Sequence, residues 1–313
     1  MKKNLLFYGM ILLIAMVGLY SCEKPMPTGD FTSSVDGFDV TFTTSDITEV
    51  TDYLWDFGDD STSTDAAPVH TYLLSGTYTV TLTLTGAGGS ITVNHDVEIL
   101  PDFLELLTGG PGATNGKTWI LDPVYHPETD GGSGVDPTFQ LIFASQDSLL
   151  SAIGYPEEYD NEYTFFADGK YVVDNINGKS VANLYYCWGG AEPFVYTAES
   201  GGLNIAVQDY TAPENSTWTL HEDDFVMTAA PYGGEPETPV TFDVPFSGMK
   251  WLELSDGAYF GILDFPTSRK YIIREITNDR MVVALFMAGY WSTMDGSCPN
   301  PVLMYHQTYI PKQ

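Results

Sequence analysis

From Asp30 to about Leu100 apolar and polar residues alternate in short runs, "FDVTFTT", "YTVTLTLTG" and "ITVNHDVEIL". Period-two alternation rich in Thr and Val, bounded by Gly, Asp and Ser, predicts half-buried antiparallel strands. No helical period interrupts it, so the segment reads as a small β-sandwich. A Gly-Pro-Gly tract inside "PDFLELLTGGPGATNGK" (101–117) then breaks the pattern and predicts a linker over 101–116, with one or two helical turns in "DFLELLTG".

From Lys117 to Gln313 the runs are again strand-like and richer in aromatics: "KTWILD", "EYTFFADGKYVVD", "STWTLHEDDFVMTA", "KWLELSDGAYFGILD", "RKYIIREITNDRMVVALFM" and "VLMYHQTYI". Asp168-Gly169 inside "FFADGKYVV" is a strong hairpin signal, and Asn278-Asp279 marks a second turn. Only "TFQLIFASQDSLLSAIG" leaves room for a short helix. The expected class is all-β: a sandwich over 30–100, then a larger sandwich or jelly roll over 117–313.

The first 21 residues stand apart. Two lysines, an apolar run from Leu5 to Tyr20 and a small-residue stretch ending at Cys22 have the layout of a secretory signal, and the run is short for a membrane span. "LYSC" (19–22) resembles a bacterial lipobox, which implies cleavage before Cys22 and a lipid on its thiol. Residues 22–29, with Pro25 and Pro27, then form a tether. The resulting expectation is an outer-membrane lipoprotein at the cell surface. The two other cysteines, Cys187 and Cys298, enter a compartment that permits a disulfide, and sequence leaves their pairing open.

The chain carries 42 acidic against 12 basic residues in 313, a formal net charge of −30. A phosphate backbone would repel it, so nucleic acid is excluded as a partner. The acidic cluster Asp56, Asp59 and Asp60 has two readings, a calcium site or the turn of a sandwich.

"WDFGDDSTST" followed by "PVHTYLLSGTYTVTLTLT" favours the turn. Trp55, Asp56, Phe57, Gly58, Asp59, His70, Tyr72, Gly76, Tyr78 and Val80 resemble the signature of the PKD family, with Asp60 where glycine is usual. The resemblance implies an immunoglobulin-like sandwich serving as a spacer or interaction module. The carboxylates then bond turn amides and Trp55 and Phe57 point into the core. Calcium remains the alternative at this cluster, and no other cofactor is implied.

Five tryptophans fall in the second domain. Trp119, Trp218 and Trp251 lie within alternating runs, as core residues do. Trp188, in "YYCWGGAEPFVY", and Trp291, in "AGYWSTMDGSCPNP", sit among Gly and Pro instead. A flat indole in a loop suits the axial face of a sugar ring, and the competing reading is a loop ring folded onto its own domain. "LDPVYHPETDGGSGVDP" (121–137) reads as a polar binding loop that adds Tyr125 and His126. No G-x-S-x-G, H-E-x-x-H or P-loop occurs, nor the E-x-D-x-x-E strand of laminarinase-like hydrolases.

The order of motifs from Lys117 onward is similar to the C-terminal modules of surface glycan-binding lipoproteins from starch-utilisation-system-like loci. That resemblance implies a non-catalytic protein that holds a polysaccharide through Trp188, Trp291, Tyr125 and His126. The alternatives are a glycoside hydrolase or lyase with an unrecognised catalytic pair, and an accessory subunit docked on an outer-membrane transporter.

Overall fold

The computed structural model describes residues 23–152, 154–184, 194–195, 205–231, 240–255, 257–265, 269–288 and 300–313. Cys22, Cys187, Trp188, Trp291 and Cys298 lie outside the described residues. The chain divides into two compact units, 1–102 and 103–313. Among the described residues no helix is long and apolar enough to cross a membrane.

Among its described residues the first unit has seven strands: β1 (Thr28–Asp36), β2 (Asp39–Thr48), β3 (Asp52–Asp56), β4 (Thr62–Ser63), β5 (Val69–Thr71), β6 (Gly76–Gly86) and β7 (Gly89–Ile99). They form two sheets, ordered β1-β2-β5 and β4-β3-β6-β7. Alternate residues of both sheets meet in one core, which includes Phe31, Val40, Phe42, Trp55, Phe57, Tyr72, Leu82 and Val97. Trp55 and Phe57 are thus buried as expected. The sandwich begins earlier than the alternation suggested, because β1 takes in Thr28 and Gly29 and Pro27 is buried.

The acidic cluster is turn chemistry. Asp56 Oδ1 accepts from the Gly58 amide at 2.9 Å, and Asp59 Oδ1 from the Ser61 amide at 3.1 Å. Asp59 Oδ2 meets His70 Nε2 at 2.7 Å, and His70 stacks on Phe57. Burial opposes the charge of Asp59, but hydrogen bonds from Ser61 and His70 outweigh it and hold the carboxyl below its ordinary value. Asp60 has φ +70°, the left-handed conformation for which glycine is the usual choice.

The second unit opens with helix α1 (Phe103–Thr108). The segment expected as a linker, 101–116, belongs to this unit instead. Leu107 is fully buried in its core, and its carbonyl accepts from Trp119 Nε1 at 3.0 Å. Apolar Phe103 and Leu107 find a surface to cover there, which a free linker would not offer them.

Strands follow in chain order: β8 (Lys117–Leu121), β9 (Gly131–Ser133), β10 (Leu141–Ala144), β11 (Glu162–Phe165) and β12 (Tyr171–Asp174). Helix α2 (Leu149–Ala152) and a 3₁₀ turn (Pro156–Asp160) stand between β10 and β11. Next come β13 (Lys179–Asn183), β14 (Phe194–Val195), β15 (Ile205–Asp209), β16 (Trp218–His221), β17 (Phe225–Ala229) and β18 (Phe242–Phe246). The last are β19 (Trp251–Leu254), β20 (Lys270–Ile276), β21 (Met281–Ala288) and β22 (Pro301–Pro311). Both expected hairpins form, β11–β12 and β20–β21.

The main sheet runs β12-β11-β8-β22-β21-β20-β19-β16. Its two edges also meet. The Tyr171 amide donates to Ser216 O at 2.8 Å, the Trp218 amide donates to Gly169 O at 2.9 Å, and Lys170 bridges Thr217. The sheet therefore closes on itself, and closure leaves no open edge there to pair with another chain. Each of the eight strands sends alternate residues inward: Trp119, Tyr163 and Phe165, Tyr171 and Val173, Trp218, Leu252 and Leu254, Tyr271 and Ile273, Met281, Val283 and Leu285, and Tyr309. Opposite walls pack across one core, so the all-β, two-layered expectation holds. The strand order is a closed meander, without the crossed order of a jelly roll.

Strand β21, "MVVALFMA", is buried at every position. One face joins the interior, while Ala284 and Phe286 on the other are covered by the β17–β18 hairpin through Met227, Val244 and Phe246. Two-sided cover explains the unbroken apolar run.

The interior is filled by the chain itself. Residues 257–263, between β19 and β20, pass through it, with Ala258, Tyr259 and Phe260 fully buried. A backbone inside a closed sheet needs partners, and tyrosines supply them. Tyr210 donates to Gly257 O (2.8 Å), Tyr171 to Tyr259 O (2.7 Å) and Tyr163 to Gly261 O (3.4 Å), while the Phe260 amide donates to Tyr271 Oη (3.2 Å). The segment then pairs with β13 through Leu263 N to Val181 O and Asn183 N to Leu263 O, both 2.9 Å.

Candidate functional site

At the end of the closed sheet where β8 and β21 finish and β22 begins, the internal segment leaves space. A cavity of about 320 Å³ opens there, within the range that holds a small ligand. Its wall takes Leu121 from β8, Met287 and Ala288 from β21, Leu303 and Tyr305 from β22, Val181 and Asn183 from β13, and Ile205 from β15. Leu149, Leu150, Glu158 and Tyr159 from the short helices, and Asp122 to Tyr125 from the following loop, complete it. The wall residues Pro123, Val124 and Gln146 are exposed and mark the opening.

Of the four residues expected to bind a glycan, Tyr125 lines this cavity, half-buried, with its amide donating to Asp147 Oδ1 at 2.7 Å. His126 does not reach the wall; its Nε2 pairs with Asp122 Oδ2 at 2.9 Å and braces the loop from behind. Trp188 and Trp291 fall outside the described residues. The loop 121–137 is only partly a loop. Gly131–Ser133 form the buried strand β9, and a Cβ at Gly132 would lie 1.9 Å from the Phe143 ring. Gly131 and Gly132 serve close packing against Phe143, and sequence alone does not show what presses on them.

The polar wall groups are held by neighbours. Asn183 Nδ2 donates to Asp264 Oδ2 and to Ala288 O, both at 2.8 Å. Tyr305 Oη and Ser145 Oγ are 3.1 Å apart, and Tyr159 Oη accepts from the Leu150 amide at 3.1 Å. Asn161 Nδ2 donates to Glu158 Oε2 at 2.5 Å. Asp130 is buried, its carboxyl raised by desolvation against hydrogen bonds from Thr308 and the His126 amide. Apart from Asp130, which lies in the same loop, these groups are distant from Tyr125 in sequence, and no motif announces them.

Ser133 and His306 resemble a nucleophile and its base, 2.8 Å apart and both fully buried. The protons rule out that role. Arg274 Nη1 donates to His306 Nδ1 at 3.2 Å, so the ring carries its proton on Nε2 and donates to Ser133, which donates on to Gly134 O at 2.8 Å. Burial, with the Arg274 charge beside it, pushes the imidazole down to about 3, against a smaller upward pull from Asp136. With its proton already on the nitrogen that faces Ser133, and with so weakly basic a ring, His306 is not placed to take the serine proton. Among the described residues, no three or more His, Cys, Asp or Glu side chains are placed to hold a metal ion.

Architecture and turn chemistry define an all-β protein whose first unit is a PKD domain: residues 27–100 match that family's model. The same region is 43% identical over 70 residues to pre-pro-metalloprotease PrtV of Vibrio cholerae, covering 21% of this chain and 8% of that protein. It is 40% identical over 70 residues to collagenase ColA of Bacillus cereus, 20% of this chain and 7% of that one. The chain thus spans less than a tenth of the curated proteins it matches. The solved PKD1 domain of PrtV covers 25% of this chain and 100% of its own, at 34% identity and a TM-score of 0.24. A chain from a study of carbohydrate-binding modules of the β-sandwich superfamily aligns over 93% of both chains, at 13% identity and a TM-score of 0.26, a likeness too slight to bear on function.

Proposed function

We propose that this chain is a non-catalytic, lipid-anchored protein of the outer membrane that captures a carbohydrate at the cell surface. The PKD domain acts as a spacer, the second unit is the capture module, and a transporter complex is the partner to which it would deliver. The observation that carries the reading is the cavity itself, where tyrosines stand beside amide, carboxylate and hydroxyl groups. Apolar ring faces and fixed hydrogen-bonding groups together are what a sugar requires.

Titration calorimetry against a glycan panel tests it. Tyr125→Ala is expected to weaken binding by roughly tenfold, the equivalent of about 50 Å² of lost apolar contact at ~25 cal/mol per Å². Melting should be unchanged, since a half-buried ring at the mouth leaves no core void. Undiminished affinity would place the ligand elsewhere.

One observation favours the hydrolase alternative: Asp122, Asp130 and Glu158 share the wall. Release of reducing ends from any glycan that binds, abolished by Glu158→Gln, would move the protein to that class.

The anchor has its own test. Cys22→Ser is expected to shift the protein from the membrane fraction to the soluble one, because acyl chains contribute ~0.8 kcal/mol per buried CH₂. Retention of the variant in membranes would rule out the lipid anchor.

A further inference from the structure

The wall of the cavity is chemically divided. Leu150, Val181, Ile205, Ile262 and Met287 belong to one buried cluster, half-buried Leu303 packs against it, and all six line the cavity. Tyr125, near the exposed opening, and Tyr305, Asn183 and Glu158 supply the polar part. A sugar ring bears hydroxyls on its whole rim, so a bare saccharide would leave several of them dehydrated against the aliphatic part, unpaired. An apolar group would fill that part with a gain from every methylene it buries.

Charge narrows the choice. Asp122, Asp130 and Glu158 are in the wall, and no lysine or arginine is among the described wall residues. A ligand with a carboxylate head would meet like charge there with no cation to offset it, while a neutral head would not.

We infer that the cavity takes an amphipathic neutral glycoside, a sugar bearing an alkyl or aryl group. The apolar group lies on the aliphatic cluster and the sugar meets Tyr125 and Tyr305. The inference rests on the carbohydrate-capture reading of the same cavity and adds the class of molecule.

The experiment is a calorimetric titration of the full chain with matched methyl, hexyl and phenyl glycosides of glucose, galactose and N-acetylglucosamine, and with hexanoate and laurate. For at least one sugar, the hexyl and phenyl forms are expected to bind tenfold or more tightly than the methyl form, with hexanoate undetectable. Leu303→Trp and, independently, Val181→Phe fill the aliphatic part. Each should abolish the gain of hexyl over methyl, read as the ratio of the two affinities within the same variant; a thermal melt identifies any variant that fails to fold, and the other then decides. Equal affinity for methyl and hexyl forms would overturn the inference and leave carbohydrate capture standing. Laurate bound more tightly than every glycoside, or no binding by any of these probes, would overturn both.

Discussion

Gly261→Ala is expected to destabilise the second unit by about 2–5 kcal/mol and to lower its melting temperature by roughly 5–15 °C. Gly261 sits in the internal segment at φ +74°, where a side chain costs about 1–2 kcal/mol. A Cβ there would lie 2.2 Å from Tyr309 Oη and 2.8 Å from Gln307 Oε1. The tyrosine cannot swing aside, because it is fully buried, packs on Phe260 and donates to Gln307 at 2.9 Å. Gly178→Ala is the control. Its φ is +71°, but a Cβ would meet nothing within 4 Å, so only the backbone cost of about 1 kcal/mol should appear. Equal losses at the two sites would mean that the internal segment is not packed as described.

His306 should make stability depend on pH, with a sign that its buried state determines. Its folded value is about 3 against an ordinary 6.5, so folding favours the neutral ring. Above about pH 6.5 neither state binds the proton and the contribution is intact. As pH falls below that, the unfolded chain takes a proton the folded one refuses, and stability drops by ~1.4 kcal/mol per pH unit down to about pH 3. Asp264 acts oppositely. Burial raises it to about 6, despite hydrogen bonds from Asn183 and the Ala288 and Phe265 amides and the Arg269 charge. Its contribution is present at low pH and is lost as pH rises from about 3.8 to about 6. The two slopes largely cancel in the wild type over that window.

The informative quantity is therefore the difference between wild type and His306→Gln, from which Asp264 drops out. Glutamine can still accept from Arg274 and donate to Ser133, but it does not titrate. The wild type should be the more stable at pH 7, and denaturant melts at successive pH values should show its advantage shrinking and then reversing toward pH 4. A constant gap would contradict a neutral, buried imidazole.

Much of the fold was open to reading along the chain. The W-D-F-G-D run with His70 and Tyr72 identified the PKD sandwich, and the Asp168-Gly169 and Asn278-Asp279 turns marked two hairpins. Alternation also sorted Trp119, Trp218 and Trp251 into the core, where they are 0%, 7% and 4% exposed. These features are local: a turn type needs particular residues at two positions, and a half-buried strand needs period two, whatever lies across from it.

The site was mostly hidden. Tyr125, singled out from its loop, lines the cavity and His126 pairs with Asp122 beside it, while Glu158, Asn183 and Tyr305 carry no local mark. "GAYFGIL" looks like the end of a strand, and only the tertiary structure makes it the filling of the interior, because its backbone is satisfied by tyrosines from Tyr163 to Tyr271. The same holds for the meeting of β12 with β16 and for the proton order of Arg274, His306 and Ser133. Sequence by itself determined which positions would seek burial; the tertiary structure decided what buries them. Periodicity records the apolar face of one strand, whereas closure, a cavity and a neutral histidine each depend on groups that come together only after distant segments have packed.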